Sequence, residues 1–203
     1  MKHLVISFSI AIAATLMSLP ASAATKETWS RCKGIDGEKA VRACGEIIAG
    51  QETPLSKAIA LYNRARVHLH RGEFDRAMAD LDQSIALSPF SSVPRLQRGI
   101  TFAWMKAFDR ALSELSAAID LEPKNARAYL ERGKVRIWLR DFGGAVGDLS
   151  RAIALNPKDP AALRVRAIAF GHMQDLDRAK ADISRALRLE AKRSGVRVLQ
   201  AGA

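Results

Sequence analysis

The sequence predicts an all-α fold, a solenoid of antiparallel helical hairpins, and three observations carry that prediction. One 34-residue template recurs four times in register, over 57–90, 91–124, 125–158 and 159–192. Within each copy the apolar residues are spaced by three and four, which puts them on one face of a helix. Pro89, Pro123 and Pro157 close the first three copies at equivalent places, where a helix cannot continue. Tandem copies of one supersecondary unit pack only on their neighbours, so the expected fold is an array.

The chain begins with what reads as a secretory signal peptide over residues 1–23. Lys2 is the charged start, Leu4 to Leu19 is an apolar run diluted by Ser and Thr, and Ala21-Ser22-Ala23 is a small-residue cleavage site. The run is slightly short for a membrane span, and an uncleaved anchor is the alternative. No cysteine follows the cleavage site, so nothing signals a lipoprotein anchor. The expected product is exported, periplasmic or secreted, starts at Ala24 or Thr25, and has no transmembrane segment once the signal is removed. Lys2 is the only charge lost with the signal, so the mature chain stays strongly basic, from +11 in the full sequence.

Residues 24–56 read as a capping half-repeat followed by a linker. Glu38 to Ala49 follows the second-helix pattern, with Ala40, Cys44 and Ile47 in the columns of Ala77, Leu81 and Ser84. Cys32 and Cys44 are the only cysteines, twelve residues apart. In an exported protein they form a disulfide most simply, clamping the short segment that carries Trp29 onto the cap helix. A free thiol pair is the alternative. In the loop Gly50 to Ser56, Thr53 is an expected N-cap and Pro54 the first helical residue, opening a helix to about Arg71.

Each of the four copies is expected to be a helix of roughly 14 residues, a short turn and roughly 14 more. Small residues at Ala65, Gly99, Gly133 and Ala167, and at Ala77, Ala111, Ala145 and Ala179, let the two helices approach closely. Large apolar residues fill two further columns, Phe74, Phe108, Phe142 and Leu176, then Leu81, Leu115, Leu149 and Ile183. Gly143, Gly144 and Gly147 lie on the second helix of the third copy; their spacing is wrong for a phosphate loop. The fourth copy has Ala191 where the others have proline, so its helix extends to about Arg193. The tail over 193–203 is too short to cover it, which leaves Ile183, Leu187 and Val198 as a surface for self-association.

These columns and the closing proline resemble the tetratricopeptide repeat, whose pattern is W-x2-L-G-x2-Y, then A-x3-F, then P. In the third copy the resemblance runs through Tyr129, Arg132, Gly133, Arg136, Ala145, Leu149 and Pro157, and it covers residues 57–192. Arg95 and Arg136 stand in columns the family usually fills with aromatics, and arginine replaces the usual leucine in all four copies. That arginine column has its own logic. Arg64, Arg98, Arg132 and Arg166 each precede an acid by sixteen residues, namely Asp80, Glu114, Asp148 and Asp182. Residues equidistant from the turn of an antiparallel hairpin face each other, so the turns fall at the midpoints Gly72, Lys106, Arg140 and Gln174. The pairs are expected to be a ladder of cross-hairpin salt bridges. The competing reading, an arginine row for anionic ligands, leaves the acids unexplained.

No nucleophile elbow, histidine–carboxylate pair, zinc spacing or nucleotide fingerprint is present, which argues against an enzyme and against a cofactor. The resemblance implies instead a protein-binding scaffold in which the first helix of each hairpin lines a concave groove. Its lining is then expected to include Tyr62, Asn63, Arg66, His70, Gln97, Trp104, Arg127, Lys134, Trp138, Arg164 and His172. Such a mixture of aromatics and cations suits a protein or peptide partner with apolar anchors and acidic groups. Packing of the two tryptophans between repeats is the other reading. The basic balance also suits an anionic polymer or a membrane surface, whereas nucleic acid is a poor partner for an exported chain.

Overall fold

The computed structural model describes residues 23–34 and 36–194. The expected signal peptide, apart from Ala23, and Val198 of the tail lie outside the described residues. Among the described residues there are ten helices: α1 Lys26–Lys33, α2 Gly37–Ala49, α3 Pro54–His70, α4 Phe74–Leu87, α5 Ser92–Trp104, α6 Phe108–Leu121, α7 Ala126–Trp138, α8 Phe142–Leu155, α9 Pro160–His172 and α10 Leu176–Ser194. They form five successive hairpins, each packed mainly on the next, as the 34-residue template requires. No described helix is long and apolar enough to cross a membrane.

Local chemistry sets the boundaries. Thr53 caps α3 by accepting from the Ser56 N–H, and Pro54 occupies the first turn, where its missing N–H costs nothing. The helices α4, α6 and α8 stop two residues before Pro89, Pro123 and Pro157, because the residue before a proline is steered out of the helical region. With Ala191 in that place, α10 runs on to Ser194.

The four repeat hairpins close alike. In the second, Ala107 N–H donates to Phe102 C=O at 2.9 Å and Lys106 N–H to Ala103 C=O at 3.0 Å, which is a Schellman ending. This ending needs a left-handed residue, and Gly72, Lys106, Arg140 and Gln174 supply it with φ of 72°, 59°, 63° and 62°. These are the four midpoints expected from the arginine–acid spacing. Glycine is comfortable at such a φ and a branched-off side chain is not. Lys106→Gly and Arg140→Gly should therefore each raise stability by about 0.5–1 kcal/mol in a urea melt, the relieved strain outweighing the added freedom of the unfolded chain.

The core is a file of leucines. Leu81, Leu115 and Leu149 are fully buried, each on a small residue of the partner helix. A Cβ built on Gly99 or Gly133 would lie 2.8 Å from Cγ of Leu115 or Leu149, so those two glycines mark the closest helix approach. Ala65 fills the same column against Leu81. The file ends at α10, where Leu176, Ile183 and Leu187 are exposed, no further hairpin packing on them among the described residues. At the other end Cys32 and Cys44 are joined, and the pair packs with Ile47, Ala60 and Trp29 to seat α1 and α2 on α3.

Candidate functional site

The arginine ladder fixes how the helices present their outer faces. Arg64 donates from Nε and Nη2 to Asp80 at 2.8 and 2.7 Å, and Arg132–Asp148 and Arg166–Asp182 repeat the fork. The acids are buried and the guanidiniums mostly so, which is why two-point geometry matters. The second copy differs by one methylene. Glu114 takes a single bond from Arg98 at 2.6 Å, and Arg98 Nε and Glu114 Oε2 are left buried without a hydrogen-bond partner.

The ladder also joins neighbouring repeats. Nη1 of Arg98, Arg132 and Arg166 reaches back to Asp82, Ser116 and Ser150 on the second helix of the preceding copy, at 2.6, 3.0 and 2.9 Å. The two columns that depart from the family pattern serve the same acids. Arg136 Nη1 lies 3.0 Å from Asp148 and also donates to the Gly144 carbonyl, while Arg95 lies 3.8 Å from Glu114. His68 takes the Arg136 place in the first copy, buried between Asp80 and Glu73. Its 2.6 Å hydrogen bond, with Arg71 and Arg76 nearby, holds the Glu73 carboxyl below the usual carboxylate range. The arginines are thus committed to structure and are not a free anion site.

A large cavity lies elsewhere, on the first-helix face between α3 and α5. It encloses about 540 Å³ and is walled by Leu55, Ile59, Tyr62, Val93 and Pro94, with Asn63, Ser88 and Ser91 among its polar lining. Two cations complete it, Lys33 from the end of α1 and Arg66 from α3, and no acid lines it. Among the described residues neither cation is in an ion pair; Arg66 lies over the Tyr62 ring at 6.0 Å. Asn63 is buried and directs Nδ2 toward Cys32 Sγ at 3.9 Å, which ties this wall to the disulfide-clamped cap.

The expected groove residues divide into three groups. Tyr62, Asn63 and Arg66 line the large cavity, and Arg127 lines a smaller one of about 230 Å³ between α7 and α9. Gln97 is buried, and two of the expected free cations are neutralised: Lys134 by Glu131 at 3.1 Å, Arg164 by Glu190 at 2.9 Å. His70, Trp104, Trp138 and His172 are the last residues of α3, α5, α7 and α9, and all four are exposed at the hairpin tips. Trp104 and Trp138 are 60% and 73% exposed, so they are not packed between repeats as core. Sequence reasoning missed Leu55, Ile59, Val93 and Lys33. Ile59 and Val93 were visible as one column, 34 residues apart, whose apolar character no hairpin contact uses. Lys33 had no such signal, because its position depends on how the cap folds back.

A match to the tetratricopeptide repeat spans residues 58–91, which is the first of the four copies. The chain is an α-solenoid of tetratricopeptide-like hairpins, one of which carries that match. No curated protein matches it. Among solved structures, the chain is similar to MamA, at 20% identity over 79% of this chain and 92% of that one, with a TM-score of 0.69. A second similar structure, MamA from residue 41 onward of Desulfovibrio magneticus RS-1, gives 20% identity, 84% and 98% coverage and a TM-score of 0.70. A double mutant of the RS-1 protein gives 18% identity, 83% and 93% coverage and a TM-score of 0.71. At these identities the likeness is one of fold. Tetratricopeptide repeats are protein-interaction modules, and the match and the fold support that coarse reading.

Proposed function

We propose that this protein is a non-catalytic interaction scaffold of the cell envelope that holds an extended segment of a partner protein in the groove between α3 and α5. The observation that carries this reading is the cavity's composition among the described residues: an aliphatic wall, two cations without an ion pair, and no acid. Such a lining takes a segment with one or two apolar side chains and a carboxylate, since an unpaired cation in a concave site is best satisfied by an incoming acid. The cap contributes Lys33, so the disulfide holds one wall of the site.

Two features support the exported reading. The Cys32–Cys44 bond belongs to an oxidising compartment. The backbone nitrogen of Ala24, which cleavage after Ala23 would make the N-terminus, donates to Glu52 Oε1 at 2.6 Å. After cleavage that nitrogen is an ammonium group and the bond becomes an ion pair.

A peptide array probed with the protein starting at Ala24 tests the groove. Bound peptides should combine aliphatic and acidic residues. Ile59→Asp and Arg66→Glu should each weaken binding about 30-fold, the cost of losing a central anchor worth about 2 kcal/mol, with helicity unchanged. Arg164→Glu, outside the cavity, should leave binding intact. Binding that ignores both cavity variants would move the site elsewhere.

A further inference from the structure

The hairpin tips carry a second surface that the groove does not use. On successive tips the chain reads Trp104-Met105-Lys106, Trp138-Leu139-Arg140 and His172-Met173-Gln174. The five large apolar side chains in these triplets are all exposed, from 42% for Leu139 to 73% for Trp138. They form one band, because each tip leans on the one before. Trp138 stacks on Phe108, just past the second tip, with ring centroids 6.4 Å apart, and His172 stacks on Phe142 at 4.7 Å.

We propose that this edge docks on a lipid bilayer containing anionic lipid. Trp104, Met105, Trp138 and Leu139 would enter the headgroup region, and Lys106 and Arg140 would pair with lipid phosphates. The residue types argue for it. Indole rings with an aliphatic neighbour favour the boundary between headgroup and acyl chain, and adjacent cations add attraction to an anionic surface. The shape argues for it too, since the side chains sit on protruding turns and present an edge to a surface.

The pairing of each tip tryptophan with a cation at the left-handed position is the independent observation. Lys106 and Arg140 occupy left-handed positions, φ 59° and 63°, that glycine fills more cheaply and does fill at Gly72. The first tip, with glycine, has no tryptophan. The two tips with tryptophan carry a cation at that position, whereas the fourth tip, with His172 in the tryptophan place, carries the uncharged Gln174 at φ 62°. The acids nearby do not cancel these charges. Asp141 caps α8 and faces Arg136, and Asp175 is bound by Arg178, which leaves Asp109 and Asp177 as the other acids of these tips, against Lys106, Arg110 and Arg140.

The test is flotation of the chain starting at Ala24 with vesicles of phosphatidylcholine, with and without phosphatidylglycerol, read together with indole emission. Wild type should float with the anionic vesicles, its emission should shift to the blue, and added salt should weaken both. Trp104→Ser/Trp138→Ser should abolish flotation and the shift while its circular dichroism stays unchanged. Lys106→Gly/Arg140→Gly should bind anionic vesicles about 30-fold more weakly, at about tenfold per two-thirds of the attraction two cations supply, while melting no lower than wild type. Weaker lipid binding in a more stable protein is an outcome that loss of fold cannot produce. Wild type that fails to float overturns the proposal, as does flotation that survives both variants. Concentration-dependent dimerisation abolished by Trp104→Ser/Trp138→Ser, without flotation, would give the edge to a second copy of the chain and also overturn it.

Discussion

Asp148→Ala should destabilise the array by about 3 kcal/mol, more than either arginine substitution beside it. The acid is 5% exposed and receives the Arg132 fork as well as Arg136, so its removal strands two guanidiniums at once. Arg132→Ala should cost less, because Asp148 keeps Arg136 at 3.0 Å. The double variant Arg132→Ala/Asp148→Ala should be more stable than Asp148→Ala alone, by about 1 kcal/mol, since Arg136 still has the Gly144 carbonyl and Asp141. Urea melts of the four proteins close the cycle. Near-zero effects throughout would mean that the pairs are solvated and that burial does not govern them.

Removing the disulfide should have the next largest effect. Cys32→Ala/Cys44→Ala opens a loop closed over a separation of twelve residues, which costs about 2–3 kcal/mol of stability in the loop-entropy account. The damage should be local. The eight-residue α1 buries only Thr28 and Cys32, and a helix that short does not persist unaided in water. Hydrogen exchange in α1 should therefore rise toward unprotected rates, while α5 to α8 keep their protection, because each repeat rests on its neighbours. Groove binding should weaken as well, since Lys33 leaves the wall with α1. Two free thiols in protein recovered from the envelope would remove the basis of the clamp.

Taken together, these variants assign separate work to three arginine and lysine populations. The ladder arginines hold hairpin to hairpin, Arg66 and Lys33 line the cavity without an ion pair among the described residues, and Lys106 and Arg140 ride on the tips. A single basic net charge hides this division, and only the first population was assigned its partners by spacing.

The sequence by itself determined whatever depends on contacts within one hairpin. Equal spacing from the turn paired Arg64 with Asp80 and Arg132 with Asp148, and it placed the left-handed residues at Gly72, Lys106, Arg140 and Gln174. The alternation of small and large residues located the close approach at Gly99 and Gly133. Proline and Thr53 set the helix ends within a residue or two. These are short-range constraints, written in positions that lie close along the chain. The tertiary structure alone decided what depends on the rotation of one hairpin against the next. That rotation brings Arg132 to Ser116 and sets Trp138 over Phe108 with its indole in solvent. It also folds the cap so that Lys33 meets Ile59 and Val93. No repeat period encodes that angle, because it follows from how whole side chains interlock between neighbouring hairpins.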